Sequence, residues 1–184
     1  DPMPLIGDAG QVHGPLARTA EDAALMLDAM AGFTDSTPIS VAPPWGSALE
    51  AMCGINDLKG LRVAYVADIA AIGVDEEIAR ICRSAALALA EAGAAVTEIA
   101  LDLSEGREAY KTLRGVWMVG QQFERLHLVH RFGANLAGNI RDGLKVTARD
   151  IAEAEYIRQR MWNKARAVLR NHDVITTPMS PVPP

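Results

Sequence analysis

Three side chains with metal-ligating chemistry recur at a spacing of three near the middle of the chain. Glu124, His127 and His130 fall on one face if the segment is helical, and Glu-x-x-His occurs in some metal sites of helical bundles. Such a site needs further ligands, and the sequence around it shows none. A solvated face on which Glu124 pairs with neighbouring arginines is the preferred interpretation, and a helical metal-binding protein is the weaker alternative.

Nucleotide-binding and nucleophilic chemistry lack their sequence signatures. The segment VADIAAIGVD follows a predicted strand but contains neither G-x-G-x-x-G nor a Walker pattern. Its Gly73 is better explained as the residue ahead of a helix cap at Asp75. No G-x-S-x-G is present, and the serines have no activating base nearby in sequence. The residues alone therefore predict no catalytic group, no metal and no cofactor.

Composition excludes several classes of partner. Hydrophobic residues make up 49% of the 184 and charged residues 22%, which is typical of a globular protein. The net charge of −5 provides no basic field for nucleic acid. No apolar run reaches the roughly 18 to 20 residues that span a membrane. Cys53 and Cys82 show no CxxC spacing and no signal peptide is recognised, which together favour a cytoplasmic location.

The order of secondary-structure signals predicts an α/β fold. A strand at LRVAYVAD (61–68), a capped helix from Asp75 to Gly93 and a strand at AAVTEIAL (94–101) form a βαβ unit, and such crossovers join parallel strands. A third strand is predicted at Asp173 to Thr177, parallel to the others in one sheet that the Asp75 helix covers. The apolar LRVAYV and VITTP segments predict interior strands with neighbours on both edges. The buried stripe of the Asp75 helix is predicted to comprise Ile78, Ile81, Cys82, Ala85 and Leu89.

A capped helix is also predicted near the start of the chain. Thr19, followed three residues later by Asp22, gives a capping-box-like start, and Gly32 supplies a left-handed stop. Residues 33–58 are predicted as a loop with at most a helical turn at 47–52, because they are rich in Pro and Gly. The apolar stripe of the first helix is predicted to comprise Ala23, Leu27, Met30 and Ala31.

Two long amphipathic helices are predicted in the second half. Residues 104–132 carry apolar side chains at helical spacing, and Gly106, Gly115 and Gly120 predict a kink or a close neighbour. Thr147 and Asp150 open a second helix. Its apolar face is predicted to comprise Ile151, Ala154, Met161, Ala165 and Val168.

The ordered set of these segments resembles the amidase-signature enzymes. GPLARTAEDAALMLDAMAG, preceded by QVH and followed by FTDSTPIS, is similar to the segment after the nucleophile region of that family. The similarity continues through LKGLRVAYVAD and VDEEIARICRSAALALAEAGAAVTEIAL to NHDVITTPMSPVPP, where His172 stands at the usual aromatic position. It covers nearly the whole chain and implies one partial domain, residues 1–184, of the mixed-sheet amidase-signature fold.

The resemblance implies hydrolysis of carboxylic amides through a serine acyl intermediate, with a Lys and two Ser and no metal. The family's Gly-Gly-Ser-Ser-Gly-Gly-like loop and its Lys lie upstream of the matching region, so no catalytic residue is carried onto this chain. The four lysines in loop or amphipathic-helix contexts are not expected to substitute for the buried catalytic Lys; they are Lys59, Lys111, Lys145 and Lys164.

We therefore expect the middle-to-C-terminal part of an amidase, without activity when isolated. Its expected partners are the remainder of the parent enzyme or a second copy, with a small-molecule amide as substrate of the full enzyme. A non-catalytic interaction or ligand-binding module is the alternative. The resemblance also implies that part of the wall of the substrate pocket is formed by Trp117, Gln121, Thr177, Pro178 and Met179.

Overall fold

The computed structural model of the protein describes residues 13–183. The helices and strands are α1 (Ala20–Met30), α2 (Ala48–Cys53), β1 (Arg62–Tyr65), α3 (Glu76–Glu91), β2 (Ala95–Glu98), α4 (Gly106–Gln121), a 3₁₀ helix (Phe123–Arg131), α5 (Ala134–Gly143), α6 (Ala148–Leu169) and β3 (Val174–Thr176). None of the helices in this range has the length and apolar character needed to cross a membrane.

The chain divides into two compact units. Within residues 13–183, the first contains residues 13–56 together with Trp117–Ile140, and the second contains Asp57–Val116 and residues 141–183. Both α4 and α5 run from one unit into the other. A single partial domain over residues 1–184 stays a prediction.

The second unit is built on a three-stranded parallel sheet in the order β2-β1-β3. Val63 of β1 lies opposite Val96 of β2 on one side and opposite Val174 of β3 on the other. α3 connects β1 to β2 and packs against β2. The α/β class, the βαβ unit and the parallel arrangement of the three predicted strands are confirmed.

Burial differs sharply between the strands of this sheet. The four residues from Val63 to Val66 are at most 3% exposed, because β1 has a neighbour on each side, as its apolar run predicts. Within residues 13–183 β3 pairs with β1 alone and Val174 is 38% exposed, so the second neighbour predicted for VITTP is not among the described residues. In the described part of the chain β3 is therefore an edge strand, a position that attracts further strand pairing.

An ion pair joins the amino ends of β1 and β3. Asp173 Oδ1 accepts from Arg62 Nη2 at 2.7 Å, and Oδ2 accepts from Arg62 Nε at 3.1 Å and from the Arg62 backbone N–H at 2.8 Å. The Asp173 N–H donates back to the Arg62 carbonyl at 2.8 Å. A slip of one residue would break these bonds and would turn every side chain of β3 to the opposite face of the sheet. The bonds therefore help to fix the register.

α3 is capped as predicted, and its predicted buried face is correct in part, because Ile78, Cys82 and Leu89 are half-buried. The Asp75 carboxylate accepts from the Glu77 N–H at 2.9 Å, and Gly93 follows the last turn at φ +106°. Ala86 is the buried residue of the helix, whereas Ala85 is exposed and Ile81 is 51% exposed. Two adjacent alanines carry the same hydrophobic signal, so the sequence pattern does not distinguish which of them faces the sheet.

α6 confirms both its predicted start and its predicted face. Thr147 Oγ1 accepts from the Asp150 N–H at 3.2 Å while Asp150 Oδ2 accepts from the Thr147 N–H at 2.8 Å, which completes a capping box. The predicted apolar stripe is buried at Ala154 and half-buried at its other positions. Met161 on this stripe covers Gly106, where an added Cβ would overlap the end of the methionine side chain.

The single helix predicted over residues 104–132 is interrupted. α4 ends at Gln121, and the chain continues as a 3₁₀ helix from Phe123 to Arg131. The interruption follows directly on Gly120 and Gln121, consistent with the low helix propensity of glycine. Gly115, by contrast, lies buried within the helix.

The first unit contains α1 and α2, which pack together. Thr19 caps α1 by accepting from the Asp22 N–H at 3.1 Å, as predicted. The predicted left-handed stop at Gly32 is wrong, because Ala31 already leaves the helix in an extended conformation and Gly32 has no positive φ. Met30, predicted on the buried stripe, is 46% exposed. Residues 47–52, predicted as at most a helical turn, contain the cap Ser47 and most of the short helix α2 (Ala48–Cys53).

Asp28 links the two helices of the first unit. Its carboxylate accepts from the Ser47 hydroxyl at 2.7 Å and from the N–H groups of Ala48 at 2.6 Å and Leu49 at 3.1 Å. The bond from the Ala48 N–H is the largest of the influences that lower the pKa of Asp28. A carboxylate on α1 thus satisfies the free amides at the start of α2.

We predict that the Arg62–Asp173 pair makes the stability of the protein dependent on pH in the acid range. Hydrogen bonds from the Arg62 side chain lower the pKa of Asp173 to about 2, whereas an unfolded Asp titrates near a pKa of about 3.9. The unfolded chain therefore binds the proton first. The stabilisation is complete above about pH 4 and is lost as the pH falls towards about 2.

Urea unfolding of the protein and of Asp173→Asn at pH 5 and pH 2.5 measures this effect. The midpoint of the variant should be lower at pH 5, and the difference from the unsubstituted protein should shrink at pH 2.5. Arg62→Met should reduce the pH dependence similarly, because it removes the cation that lowers the pKa. An equal difference between protein and variant at both pH values would contradict the prediction.

Candidate functional site

The carboxyl ends of the three strands meet at one edge of the sheet, and ligands of open α/β sheets bind outside this edge. A concavity of about 470 Å³ lies there, lined by 66–68 after β1 and 98–102 at the end of β2; we call it the β2-side concavity. A smaller depression of about 120 Å³ adjoins it, lined by residues within 67–74 and 177–181; we call it the β3-side groove. Ala67 and Asp68 line both.

Asp68 shapes the loop at the centre of this edge. Its Oδ1 accepts from the N–H groups of Ala70 at 3.2 Å and Ile72 at 3.4 Å, and its Oδ2 accepts from the Gly73 N–H at 2.7 Å. Ala71 has φ +50°, a left-handed conformation that costs a non-glycine residue about 1–2 kcal/mol. The bonds to Asp68 on either side of Ala71 offset that cost, so the loop is held in one conformation.

Backbone hydrogen bonds tie the same loop to the segments after the other two strands. The Leu103 N–H donates to the Ile69 carbonyl at 2.8 Å, which joins the loop to the chain beyond β2. The Asp75 N–H donates to the Pro181 carbonyl at 2.8 Å, which joins it to the chain beyond β3. The three strand exits therefore form one connected rim at the carboxyl edge.

The carboxylates of this rim are already engaged within the chain. Both oxygens of Asp68 accept backbone N–H groups, and Glu98 lies 2.6 Å from Arg83. Asp102 accepts from the Ser104 N–H at 2.8 Å, and hydrogen bonds from Ser104 lower the pKa of its carboxyl. The hydrogen bonds and ion pair of these carboxylates therefore stabilise the chain itself at this edge.

The five residues predicted for the pocket wall fall in two places. Thr177, Pro178 and Met179 follow β3 directly, and the structure brings them together in the lining of the β3-side groove. Trp117 and Gln121 lie one turn apart on α4, in the other compact unit, and both are half-buried. The role of all five residues in a substrate pocket stays a prediction.

Sequence reasoning missed Asp68, the residue that organises the rim. A signal was present, because an Asp directly after a buried strand and before a glycine-containing segment is typical of a turn in which the side chain bonds to the following amides. The sequence predicts Gly73 only as the residue ahead of the Asp75 cap. Its φ of +80° and its bond to Asp68 show that it also closes the loop.

The residues singled out for metal chemistry do not form a metal site. Glu124, His127 and His130 are all exposed on the 3₁₀ helix, where residues three apart lie on one face. Within residues 13–183, no group of three or more His, Cys, Asp and Glu side chains is arranged to hold a metal ion.

The four lysines considered as substitutes for a buried catalytic lysine all form ion pairs at the surface. Their side chains are 44% to 80% exposed, and the partner carboxylates lie 2.7 to 3.0 Å away. None of the four is therefore in the buried setting of a catalytic lysine. The pairs are Lys59–Asp57, Lys111–Glu108, Lys145–Asp142 and Lys164–Glu105.

Comparison with known proteins gives one consistent result. The sequence model of the family described as Amidase matches residues 7–184. An acylamidase of Rhodococcus erythropolis is 32% identical over 171 residues, which cover 90% of this chain and 35% of that protein. An amidase of Pseudomonas putida is 28% identical over 92% of this chain and 36% of its own length.

Solved structures show the same fold. A bacterial aryl acylamidase of the amidase signature family matches with a TM-score of 0.74 at 17% identity, over 92% of this chain and 37% of that one. At this identity the likeness establishes the fold alone. The chain spans about a third of the length of the relatives that it matches.

We predict that Asp68→Ala releases the loop at the carboxyl edge without unfolding the sheet. Amide hydrogen exchange at Ala70, Ile72 and Gly73 should accelerate by about tenfold or more, because each bond to a charged acceptor contributes about 1.5 kcal/mol or more. Exchange at Val63 and Ala64 in β1 should not change. Asp102→Ala, on the neighbouring segment, is the matched control and should leave the loop amides as they are. Unchanged exchange in Asp68→Ala would show that the loop is held by other contacts.

Proposed function

Because the chain belongs to the Amidase family, the family of the amidase-signature enzymes, we propose that it acts as the middle-to-C-terminal part of an enzyme that hydrolyses carboxylic amides. The observation that carries this proposal is the family match over residues 7–184. The share of the relatives that is covered, about a third, supports the view that the chain works as a part of a larger enzyme.

The proposal separates chemistry from binding. In the proposed parent enzyme a Ser-Ser-Lys triad lies upstream of the matched region. One serine attacks the amide carbonyl, the C–N bond breaks and the amine leaves with a proton, and water then hydrolyses the acyl-serine ester to the carboxylic acid and free serine. This chain supplies β1, β2 and β3 with the rim at their carboxyl ends. Thr177, Pro178 and Met179 are proposed as wall residues on the second unit, and Trp117 and Gln121 on α4.

The state of the rim supports a binding role for this chain. The loop after Asp68 is fixed by bonds within the chain, so a substrate that touches it meets a preformed surface and little ordering entropy is lost on binding. The acidic groups are engaged with Arg83, Ser104 and backbone amides rather than set as free bases. The isolated chain is therefore proposed to contribute binding contacts and no turnover.

Exposed apolar side chains support a covering partner. Large hydrophobic side chains stand more than half exposed in both units, among them Phe33 at 71%, Phe123 at 72% and Trp162 at 60%. We propose that these side chains belong to an interface, the usual role of apolar surface that forms a contiguous patch. The proposed partner is the remainder of the parent amidase, with self-association as the second choice. The two free cysteines, Cys53 and Cys82, support the proposed cytoplasmic location.

A chimeric enzyme tests the proposal directly. Residues 13–183 replace the matching third of the Rhodococcus acylamidase, and amide hydrolysis is assayed for the chimera and for the isolated 184-residue chain. We expect turnover by the chimera, because the triad of the host meets the sheet it needs, and none by the chain. The host without its matching third is the control and should be inactive. A folded but inactive chimera, or turnover by the chain that is abolished when one of its own serines is substituted, would overturn the proposal.

Association in solution tests the proposed partner. We expect the purified 184-residue chain to dimerise or aggregate as its concentration rises, because the edge of β3 and the exposed apolar side chains favour pairing. Light scattering over a range of concentrations measures this, with the chimera as control. A chain that stays monomeric and melts cooperatively would favour the alternative, an independent interaction or ligand-binding module.

A further inference from the structure

The exposed face of α6 changes its charge along the length of the helix. Residues 148–155 carry three acidic side chains and one cation; they are Asp150, Glu153, Glu155 and Arg149. Residues 156–170 carry five cations and no acidic side chain; the cations are Arg158, Arg160, Lys164, Arg166 and Arg170. All nine residues are exposed. The helix therefore has an acidic start and a basic end, both at the surface.

Part of this charge is neutralised within the chain. Three of the five cations form ion pairs; the pairs are Arg158–Glu155, Arg160–Glu105 and Lys164–Glu105. Within residues 13–183, Glu153 at the start of the helix and Arg166 and Arg170 at its end take part in no ion pair. About 20 Å of helix separates Glu153 from Arg166, so these opposite charges do not meet within one helix.

An exposed aromatic side chain lies between the two charged ends. Trp162 is 60% exposed, although an indole ring gains more than most side chains from leaving water. It follows Glu155 by two turns and precedes Arg166 by one turn, so these three residues share one side of the helix. This side combines an apolar anchor with charges of opposite sign at its two ends.

A second α6 in antiparallel orientation complements this pattern. When two copies are related by a twofold axis across the helix, the same side of each helix faces the partner. The acidic start of each helix then lies beside the basic end of the other, with Glu155 near Arg166 and Glu153 near Arg170. Each complementary set occurs twice, because a twofold contact uses the same surface on both copies. The two Trp162 side chains approach each other near the axis.

We propose that the exposed face of α6 is an interface at which a second copy of this chain binds in antiparallel orientation. The inference goes beyond the proposed function, because it does not depend on amide hydrolysis. A helix of 22 residues is about 33 Å long and about 10 Å wide, so its face covers about 330 Å². A stable complex buries about 800 Å² per partner, so this dimer is weak and depends on its charges.

Chemical cross-linking of the 184-residue chain detects this arrangement separately from other association. Gln159 is exposed near the proposed axis, and Gln159→Cys is introduced after replacing Cys53 and Cys82 by serine. A short bis-maleimide should join two such chains, with a yield that rises with protein concentration. The yield should fall in about 1 M NaCl, where the Debye length is about 3 Å. Ser84→Cys, exposed on α3, is the matched control and should give little cross-linked dimer.

Two charge-reversed variants of the Gln159→Cys chain test the complementarity. The first carries Arg166→Glu and Arg170→Glu, and the second carries Glu153→Lys and Glu155→Lys. Each alone should cross-link about tenfold less, because like charges then oppose each other at both ends of the interface. A mixture of the two should recover the yield, since each reversed end meets its complement. Mass spectrometry identifies the mixed dimer, and circular dichroism verifies that each variant is folded.

The outcomes of this test are separable from those of the chimera assay. Recovery of cross-linking in the mixture supports the α6 interface, whether or not the chimera hydrolyses amides. Equal yields from Gln159→Cys and Ser84→Cys, full cross-linking in either charge-reversed variant alone, or no recovery in the mixture would overturn the inference, even if the chimera is active. A folded chimera with Gln159→Cys that does not cross-link would assign this face to the remainder of the parent and would also overturn it.

Discussion

The paired hydrogen bonds between Arg62 and Asp173 join the amino ends of β1 and β3, and together with the backbone pairing of the two strands they set the position of β3 on the sheet. β3 has three residues and, within the described part of the chain, one neighbour. Strand pairing of that length specifies register weakly unless side chains add to it. The ion pair sets Val174 opposite Val63 at the amino end, and this register places Thr177 to Met179 beside the loop after β1.

A second carboxylate, that of Asp68, fixes the shape of the carboxyl edge. Asp68 converts an irregular segment into a fixed loop by accepting three backbone amides, and bonds from Leu103 and Asp75 connect that loop to the exits of β2 and β3. Rigid elements present fixed side chains, and fixed side chains bind at lower entropic cost. The edge therefore has the properties of a preformed wall, while its acidic groups are engaged in holding the chain itself.

The relationship to solved structures concerns the fold. A TM-score of 0.74 at 17% identity means that the fold has been kept while most side chains have changed. This fold needs a buried central strand and a capped crossover helix. It also needs small residues where α3 and α6 pack closely, and here these are Ala86 and Ala154. A chain that amounts to a third of such a protein keeps these requirements and still leaves much apolar surface exposed.

The sequence by itself determined the features that depend on bonds over three or four residues. The caps at Thr19, Asp75 and Thr147 were predictable because each bonds to an amide within the next turn, and β1 was predictable from its continuous apolar run. The face of α6 followed from a regular spacing of apolar residues. The resemblance to amidase-signature enzymes likewise needed only the order of segments.

Only the tertiary structure decided the features that depend on distant neighbours. Arg62 and Asp173 are 111 positions apart, and Asp28 reaches Ser47 across 19, so neither partner marks the other in sequence. Packing against β2 decided that Ala86 of α3 is buried and Ala85 is exposed. The strand order decided that β3 lies at the edge of the sheet within the described residues. Local propensity is a property of a segment, whereas burial, pairing and the closing of a site are properties of what that segment meets after folding.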